Sequence, residues 1–468
     1  MPLTAWHAEL AWLGPERGVA ERVLVEVEGE RIAAVSEGAD PPPGATRLAG
    51  ITVPGLANGH SHAFHRALRG RTHQQRGDFW SWRELMYQVA GKLDPDSYLD
   101  LARAAYAEMA LAGITAVGEF HYLHHDRAGR PYADPNQMGQ ALVEAAGQAG
   151  VRLTLIDTCY LRAGLGGEPL AGPQVRFGDG DAETWAERAG GLRDGPGVRV
   201  AAGIHSVRAV DPQAMATVAA WAADRDAPLH LHLSEQPAEN QACLAATGRT
   251  PAALAESAGV LGPRTTAVHA THLTGEDIAR LGATRTTAVH AAHLTGDDVA
   301  RLGATGTGVC LCPTTERDLA DGIGPARALT GAGSPLCLGS DSHAVVDLFE
   351  EARAVELDER LASGRRGNHR PDDLLAAATE AGMAALGWDA GRLAPGRLAD
   401  LVTVSLDSVR LAGTLPAEAA DHLVFAATAA DVTSVVAGGR QIVEDGRHLL
   451  VGDVPGALTR AIAALEKR

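Results

Sequence analysis

Lysine is almost absent from this chain of 468 residues: only Lys92 and Lys467 occur among its 41 basic residues, and the others are arginines. The basic residues are also outnumbered by 58 acidic ones, which gives a formal net charge of −17. A surface of that sign repels phosphate backbones and argues against a nucleic-acid partner. The balance favours a water-soluble protein whose copies repel one another.

Paired cysteines and long apolar runs are missing as well. The five cysteines are scattered and have no Cys-x-x-Cys spacing, which argues against a disulfide framework and fits a reducing compartment. No segment approaches a membrane span, and the N-terminus lacks a basic stretch followed by an uninterrupted apolar one. We therefore expect a cytoplasmic protein without a membrane partner.

Strands and helices alternate over residues 50–385, and short β runs flank this region in residues 1–49 and 386–468. Eight strand–helix units predict an α/β fold, a (β/α)8 TIM-type barrel with its active site at the C-terminal strand ends. The flanking runs are predicted to pair into a small composite β domain, and a helix closes the chain. The candidate barrel strands are Ile51–Asn58, Ile114–Phe120, Val151–Tyr160, Val198–His205, Pro228–Ser234, Thr265–His272, Gly306–Cys312 and Ser334–Asp341.

A tandem repeat lies inside the predicted barrel. Residues 264–284 and 285–305 differ only at positions 271/292, 276/297 and 278/299, and each copy has the pattern of one strand and one short helix. Because a closed eight-strand barrel has no place for a ninth strand, we expect one copy to be extruded or misplaced.

His60 and His62 follow the first predicted barrel strand. Residues i and i+2 of a strand point to the same side, so these two imidazoles converge. The pair suits a divalent metal, zinc above all, although two surface histidines in a loop have the same spacing.

Other strand ends carry further groups suited to metal chemistry. They are His232 and Glu235 after the fifth strand, His269 or its repeat twin His290 after the sixth, and Asp341 after the eighth. A lone Asp or His often only caps a helix, but the coincidence at several strand ends favours an active site.

The predicted site holds one divalent metal, Zn²⁺ or alternatively Fe²⁺, and the metal-activated water is the nucleophile. Its ligands are His60, His62, His232 and Asp341. Glu235 takes the proton of the water and passes it to a departing nitrogen, and the sixth-strand histidine hydrogen-bonds the water. Asp341 is predicted to be a catalytic residue in addition to a metal ligand.

This arrangement resembles the amidohydrolase superfamily, specifically its mononuclear deaminase branch. The marks are His-x-His after strand one, His-x-x-Glu after strand five, a histidine after strand six and Ser-Asp-Ser-His at 340–343. Dinuclear members commonly use a carboxylated lysine from strand four, for which this chain has no candidate.

Within that branch the whole chain resembles the formimidoylglutamate deiminases of histidine degradation. The resemblance implies hydrolysis of N-formimino-L-glutamate to N-formyl-L-glutamate and ammonia, and a homodimer. It implies that this small anionic substrate contacts Tyr122, His205 and Arg208, with Arg83 a weaker candidate. His65, which stands where relatives often have Gln, is the fourth predicted substrate contact. The motifs are HSHAFHRALRGRT at 60–72, FWSWRELMY at 79–87, GEFHYLHHD at 118–126, HSVRAV at 205–210, LHLSEQ at 231–236, VHATH at 268–272 and CLCPTTERDLADG at 310–322.

Three alternatives stay open at this stage. The first is that the chain is another deaminase of the same branch, with a guanine, cytosine or adenosine-type substrate. The second is that it is a barrel that the internal duplication has inactivated. For Arg208 alone, a structural salt bridge at a strand end is the alternative to substrate binding.

Overall fold

The computed structural model of the chain describes residues 3–73, 79–234, 236–261, 264–269, 287–289, 309–324, 326–331 and 335–468. For a few residues inside the helices and strands, His269 among them, it describes the backbone alone. Glu235, His290 and most of the two repeat copies lie outside the described residues.

Strands and helices alternate through the middle of the described chain. The strands are β1 (Leu3–Trp12), β2 (Val19–Glu28), β3 (Arg31–Ser36), β4 (Thr46–Pro54), β5 (Leu56–Ser61), β6 (Ile114–His121), β7 (Arg152–Cys159), β8 (Val198–Ile204), β9 (Leu229–Leu233), β10 (Thr265–His269), β11 (Thr287–Val289), β12 (Val309–Leu311), β13 (Leu336–Leu338), β14 (Leu401–Val404), β15 (Val432–Ala437), β16 (Arg440–Glu444) and β17 (Arg447–His448). The α-helices are α1 (Phe79–Ala90), α2 (Pro95–Leu111), α3 (Gln137–Ala149), α4 (Ala182–Ala189), α5 (Pro212–Asp224), α6 (Pro237–Thr247), α7 (Pro251–Ser257), α8 (Pro313–Leu319), α9 (Ala326–Gly331), α10 (Leu348–Ser363), α11 (Pro371–Ala376), α12 (Gly382–Ala385), α13 (Ala419–Phe425) and α14 (Val454–Glu466).

Eight strands from the two ends of the chain form one sheet, in the order β17-β16-β15-β14-β4-β1-β2-β3. Alternate residues of β2 are buried, namely Val23, Val25 and Val27, as expected for a strand with one face against a core. They share a hydrophobic cluster with Trp6 of β1 and Leu401 of β14. The first and last parts of the chain therefore meet in a common core.

Nine parallel strands form the second sheet, in the order β13-β12-β11-β10-β9-β8-β7-β6-β5. Every residue of β6 and β7 is buried, which is typical of parallel strands covered on both faces. A parallel bridge between Ser61 and Asp341 joins the end of β5 to the chain just beyond β13. The sheet thus closes on itself as a TIM-like barrel, in agreement with the predicted α/β fold.

Both copies of the repeat contribute a strand to the barrel. β10 comes from the first copy and β11 from the second, and they pair in parallel at Thr266↔Thr287 and Ala267↔Ala288. The predictions of eight barrel strands and of one extruded or misplaced copy are therefore wrong. Because both copies offer the same row of backbone N–H and C=O groups, the second copy extends the ladder, and β11 pairs onward with β12.

The predicted strand Ile51–Asn58 is also wrong, because the chain divides it between the two sheets. Thr46–Pro54 belongs to the eight-stranded sheet, and Leu56–Ser61 is the first barrel strand. At the crossing, a Cβ on Gly55 would lie 2.2 Å from Thr115 Oγ1, so only glycine fits. The other seven predicted barrel strands each overlap an observed one.

Helix starts agree with local capping chemistry. α2 begins with a reciprocal capping box between Asp94 and Ser97, with proline in the first turn, and Asp211 caps the backbone N–H groups that start α5. Among the described helices, none combines the length and the apolar character that a membrane crossing requires.

Candidate active site

The four predicted metal ligands come together at the C-terminal end of the barrel. Ring nitrogens of His60, His62 and His232 all lie within 4.8 Å of one another, and all three side chains are buried. The Oδ1 atom of Asp341 lies 3.4 Å from His60 Nε2 and 3.6 Å from His62 Nε2. One cluster therefore contains three imidazoles and a carboxylate.

Backbone pairing holds Asp341 at this point. Its N–H donates to the His60 carbonyl at 3.0 Å, and the His62 N–H donates to the Asp341 carbonyl at 3.4 Å. Asp341 has a φ of 37°, in the left-handed region that Asp tolerates better than most residues. The carboxylate is thus placed by the closure of the barrel rather than by a long, flexible side chain.

The rings of the cluster are oriented by their neighbours. His62 Nδ1 donates to the Phe120 carbonyl at 3.1 Å, which leaves the lone pair on Nε2, the atom that faces Asp341. Burial, with the nearby His60, lowers the pKa of His62 to about 3, so the imidazole is neutral and able to bind a metal. A buried set of neutral nitrogens and one carboxylate fits a divalent cation of the zinc type.

A hydrogen-bonded group that the sequence analysis did not assign lies behind the cluster. Ser61 Oγ donates to Glu119 Oε2 at 3.0 Å and lies 2.9 Å from His343 Nε2, while the Ala63 N–H donates to Glu119 Oε1 at 2.7 Å. Burial raises the pKa of Glu119 to about 8, although these hydrogen bonds oppose the shift. The motifs that contain Glu119 and His343 were visible, but only the fold brings both to Ser61.

One cleft joins the cluster to the predicted substrate residues. Tyr122, His205, Arg208 and His65, all predicted to contact the substrate, line it. So does Arg83, the weaker candidate. The other lining residues are His62, Trp82, Met86, Tyr87, His232, Leu319 and Asp341.

His65 stands out among these residues because it is buried, with 3% of its surface exposed. Within the described part of the chain, neither of its ring nitrogens has a hydrogen-bond partner. Its ring lies 4.5 Å from the His62 ring and 5.1 Å, edge to face, from Trp82. A polar group so placed is available to a ligand in the cleft.

Three predicted catalytic residues have no described side chain. Glu235 follows the last residue of β9 by two positions and lies outside the described residues. His269 is the final residue of β10, and only its backbone is described. His290 lies outside the described residues. Their roles stay predictions.

A second buried group contains His121, His124 and Asp157, whose ligand atoms also lie within 4.8 Å of one another. Here the carboxylate is already paired, because Arg188 donates to both Asp157 oxygens at 2.9 Å. Trp185 adds a third hydrogen bond at 2.9 Å. A guanidinium in this position disfavours a metal cation, and we assign the group to the structural core.

Comparison with known proteins agrees with this geometry. The amidohydrolase family model matches residues 51–442. The chain is similar to formimidoylglutamate deiminase of Pseudomonas aeruginosa, with 38% identity over 459 residues, covering 95% of this chain and 96% of that protein. It is also similar to 8-oxoguanine deaminase of the same organism, with 32% identity over 409 residues, covering 85% and 83%.

A solved structure gives the same result in three dimensions. An amidohydrolase from Brucella melitensis superimposes with a TM-score of 0.85 at 31% identity, covering 99% of this chain and 100% of that one. The match therefore includes the barrel and the sheet built from both chain ends. The chain belongs to the amidohydrolase family.

Proposed function

We propose that the protein hydrolyses N-formimino-L-glutamate to N-formyl-L-glutamate and ammonia in histidine degradation. The observation that carries the proposal is one cleft lined both by metal-ligand candidates and by the guanidinium groups of Arg83 and Arg208. A substrate with one amidine and two carboxylates needs both kinds of group, because guanidinium forks pair with carboxylates. The similarity to the Pseudomonas aeruginosa deiminase supports the same substrate.

The cleft residues bind the two charged ends of the glutamate part. Arg208 forks onto one carboxylate and Arg83 faces the other, while the Tyr122 hydroxyl and His205 donate hydrogen bonds to either. His65 adds an imidazole beside His62, where its unpartnered nitrogens can bond a polar group of the substrate.

When bound by His60, His62, His232 and Asp341, a divalent metal, Zn²⁺ in this proposal, lowers the pKa of a water and supplies the nucleophile. Asp341 also orients the attacking water. Glu235 accepts the proton of that water and delivers it to the leaving nitrogen. Water adds to the formimino carbon, the bond from this carbon to the terminal nitrogen breaks, and that nitrogen leaves as ammonia.

A histidine of the sixth strand hydrogen-bonds the attacking water. We assign this role to His269, the last residue of β10, which pairs directly with the ligand-bearing β9; Val268 is opposite His232 in that register. His290, its repeat twin, is the alternative.

The test is ammonia release from N-formimino-L-glutamate by the zinc-loaded protein, its His269→Ala variant and its His290→Ala variant. We expect turnover in the unmodified protein and loss of about 10²-fold or more in the 269 variant only. Loss in the 290 variant alone would keep the function and move the histidine to the second copy. No turnover by the zinc-loaded protein would contradict the proposed function and favour a barrel inactivated by its duplication.

A purine deaminase is the second candidate, favoured by the similarity to 8-oxoguanine deaminase. A purine base has no carboxylate, so it offers the two cleft arginines no anion to bind. Ammonia release from 8-oxoguanine, without release from N-formimino-L-glutamate, would establish this alternative.

The finer organisation belongs to the same proposal. It comprises the small composite β domain and the barrel, with the predicted boundary between residues 49 and 50 moved to Gly55 because β4 (Thr46–Pro54) pairs in the eight-stranded sheet, the C-terminal part of the β domain at 386–468, and a cytoplasmic homodimer. Limited proteolysis tests the boundaries, and light scattering tests the dimer, for which a mass of twice 48.6 kDa is expected.

A further inference from the structure

A hydrogen-bonded pair on α1 forms part of the cleft wall. Arg83 Nε donates to the Tyr87 hydroxyl at 2.7 Å, one helical turn further on, and the guanidinium lies over the Tyr87 ring at 5.0 Å. The bond at Nε fixes the plane of the guanidinium and hence the direction of its two terminal amino groups. Arg83 is therefore aimed by Tyr87.

The Tyr87 hydroxyl is itself held from another element. Gln174, in the 3₁₀ turn Gly172–Arg176 that follows β7, donates its amide to Tyr87 at 3.2 Å and to the Tyr160 hydroxyl at 2.8 Å. Tyr160 is buried, and its ring lies 4.2 Å from the ring of His205. One amide thus connects the Arg83 side of the cleft to the His205 side.

The turn is itself anchored firmly enough to hold α1. Arg176 is fully buried, donates to the carbonyl of Ala90 at the end of α1, and donates to the His125 carbonyl at 3.0 and 3.2 Å. The turn thereby fixes the C-terminal end of α1 at two points, Ala90 through Arg176 and Tyr87 through Gln174.

We propose that Gln174 is a positioning residue of the substrate cleft: through Tyr87 it aims Arg83, and through Tyr160 it steadies His205, so that both face the carboxylates of one substrate. Gln174 does not line the cleft itself. The proposal rests on the proposed function for the identity of the anion. It adds a specificity determinant that lies outside the substrate-contacting set.

The kinetic signature follows from the position of the carboxylates, which do not react. A misaimed Arg83 weakens the binding of substrate and transition state equally, which raises KM and leaves kcat nearly unchanged. The variant Gln174→Met keeps the side-chain volume and removes both donors. We expect it to raise KM by roughly tenfold, because a misaimed Arg83 loses hydrogen bonds to a charged carboxylate of the substrate. The matched control is Gln140→Met, an exposed glutamine bonded to Asp134 at 2.9 Å.

Glutarate, a dicarboxylate without an amidine, separates this proposal from the proposed function. Its binding to the metal-loaded protein, followed by calorimetry, is expected to weaken by about the same factor in Gln174→Met and to stay unchanged in Gln140→Met. In an Arg83→Met background the Gln174→Met change should cost less than in the unmodified protein, because only the route through Tyr160 and His205 is left to lose.

Several results would overturn the proposal. The first is an unchanged glutarate affinity in Gln174→Met, even if its melting temperature is lowered. The second is full additivity of the substitutions at 174 and 83, and the third is a fall in kcat at constant KM. The fourth is no glutarate binding by the unmodified protein. Absence of ammonia release from an unmodified protein that binds glutarate would overturn the proposed function and leave the assignment of Gln174 standing.

Discussion

Two buried groups of the barrel contain the same ligand types and differ in what the carboxylate contacts. In the first group, Asp341 faces the Nε2 atoms of His60 and His62. In the second, Asp157 lies near His124 but is held on both oxygens by Arg188. Ligand identity and burial therefore do not by themselves define a metal centre, because the charge partner of the carboxylate decides.

The electrostatics of the second group follow from one guanidinium shared by two acids. Burial alone raises the pKa of Asp157, but the charge and hydrogen bonds of Arg188 outweigh it and hold that pKa below its ordinary value. Arg188 also donates to both oxygens of Asp179, at 2.8 and 2.9 Å, and these acids raise its own pKa despite burial. In this ion network Arg188 already pairs with both acids. A metal cation bound there would be repelled by the guanidinium of Arg188.

The largest expected effect comes from removing a ligand of the first group. His232→Ala should lose the bound metal and reduce ammonia release by at least about 10³-fold, because the water is no longer activated. Elemental analysis and the ammonia assay measure the two losses. A variant that keeps one metal per chain would remove His232 from the ligand set.

Next in size is the loss of the shared guanidinium. Arg188→Met should lower the free energy of unfolding by about 3–5 kcal/mol, because it leaves Asp157 and Asp179 buried without their partner. Urea denaturation measures it, with the exposed Arg193→Met as control, for which a change within about 0.5 kcal/mol is expected. Equal stability of the two variants would contradict the ion-network assignment.

A smaller effect is the pH dependence of that difference. The folded pKa of Asp157 and Asp179 is lowered, so their stabilising contribution is present above the unfolded pKa of about 3.9 and is lost as the pH falls through the folded value. The stability gap between the unmodified protein and Arg188→Met should therefore stay constant above about pH 5 and narrow as the pH falls from about 5 towards 2. A gap that stays constant over this range would show that the aspartates are not its source.

The smallest expected effect is on metal content in the second group. His124→Ala removes an imidazole whose Nε2 donates to the Thr158 carbonyl at 2.8 Å, and it should keep the metal content of the unmodified protein. The matched comparison is His232→Ala in the same preparation. Loss of a metal equivalent in the 124 variant would make the second group a metal site and break the comparison.

The first group was predictable from the sequence because a strand presents residues i and i+2 on one side, as His60 and His62 show. Gln174 and Tyr87 were not predictable, because a 3₁₀ turn and a helix far apart in sequence meet only in the folded chain. The crossing at Gly55 was missed for a similar reason, since an apolar run gives no sign of the Thr115 and Asp400 side chains that crowd it.

The barrel itself was predictable from the alternation of strands and helices, but its strand number was not. Closure at eight is a property of typical barrels, and local sequence contains no information on how many equivalent strands a sheet will accept. The pairing of Thr266 with Thr287 shows that a copy of a strand is a suitable neighbour for the original.

That in-phase pairing makes the two repeat strands redundant. Because β9 pairs with the first copy and β12 with the second, and the copies share the sequence TTAVHA, either copy alone presents both edges that its neighbours need. Selection can then act on one copy while the other drifts. A gene that loses either copy by recombination between the two nearly identical stretches would encode a barrel of the ordinary strand number, with its flanking strands unaltered.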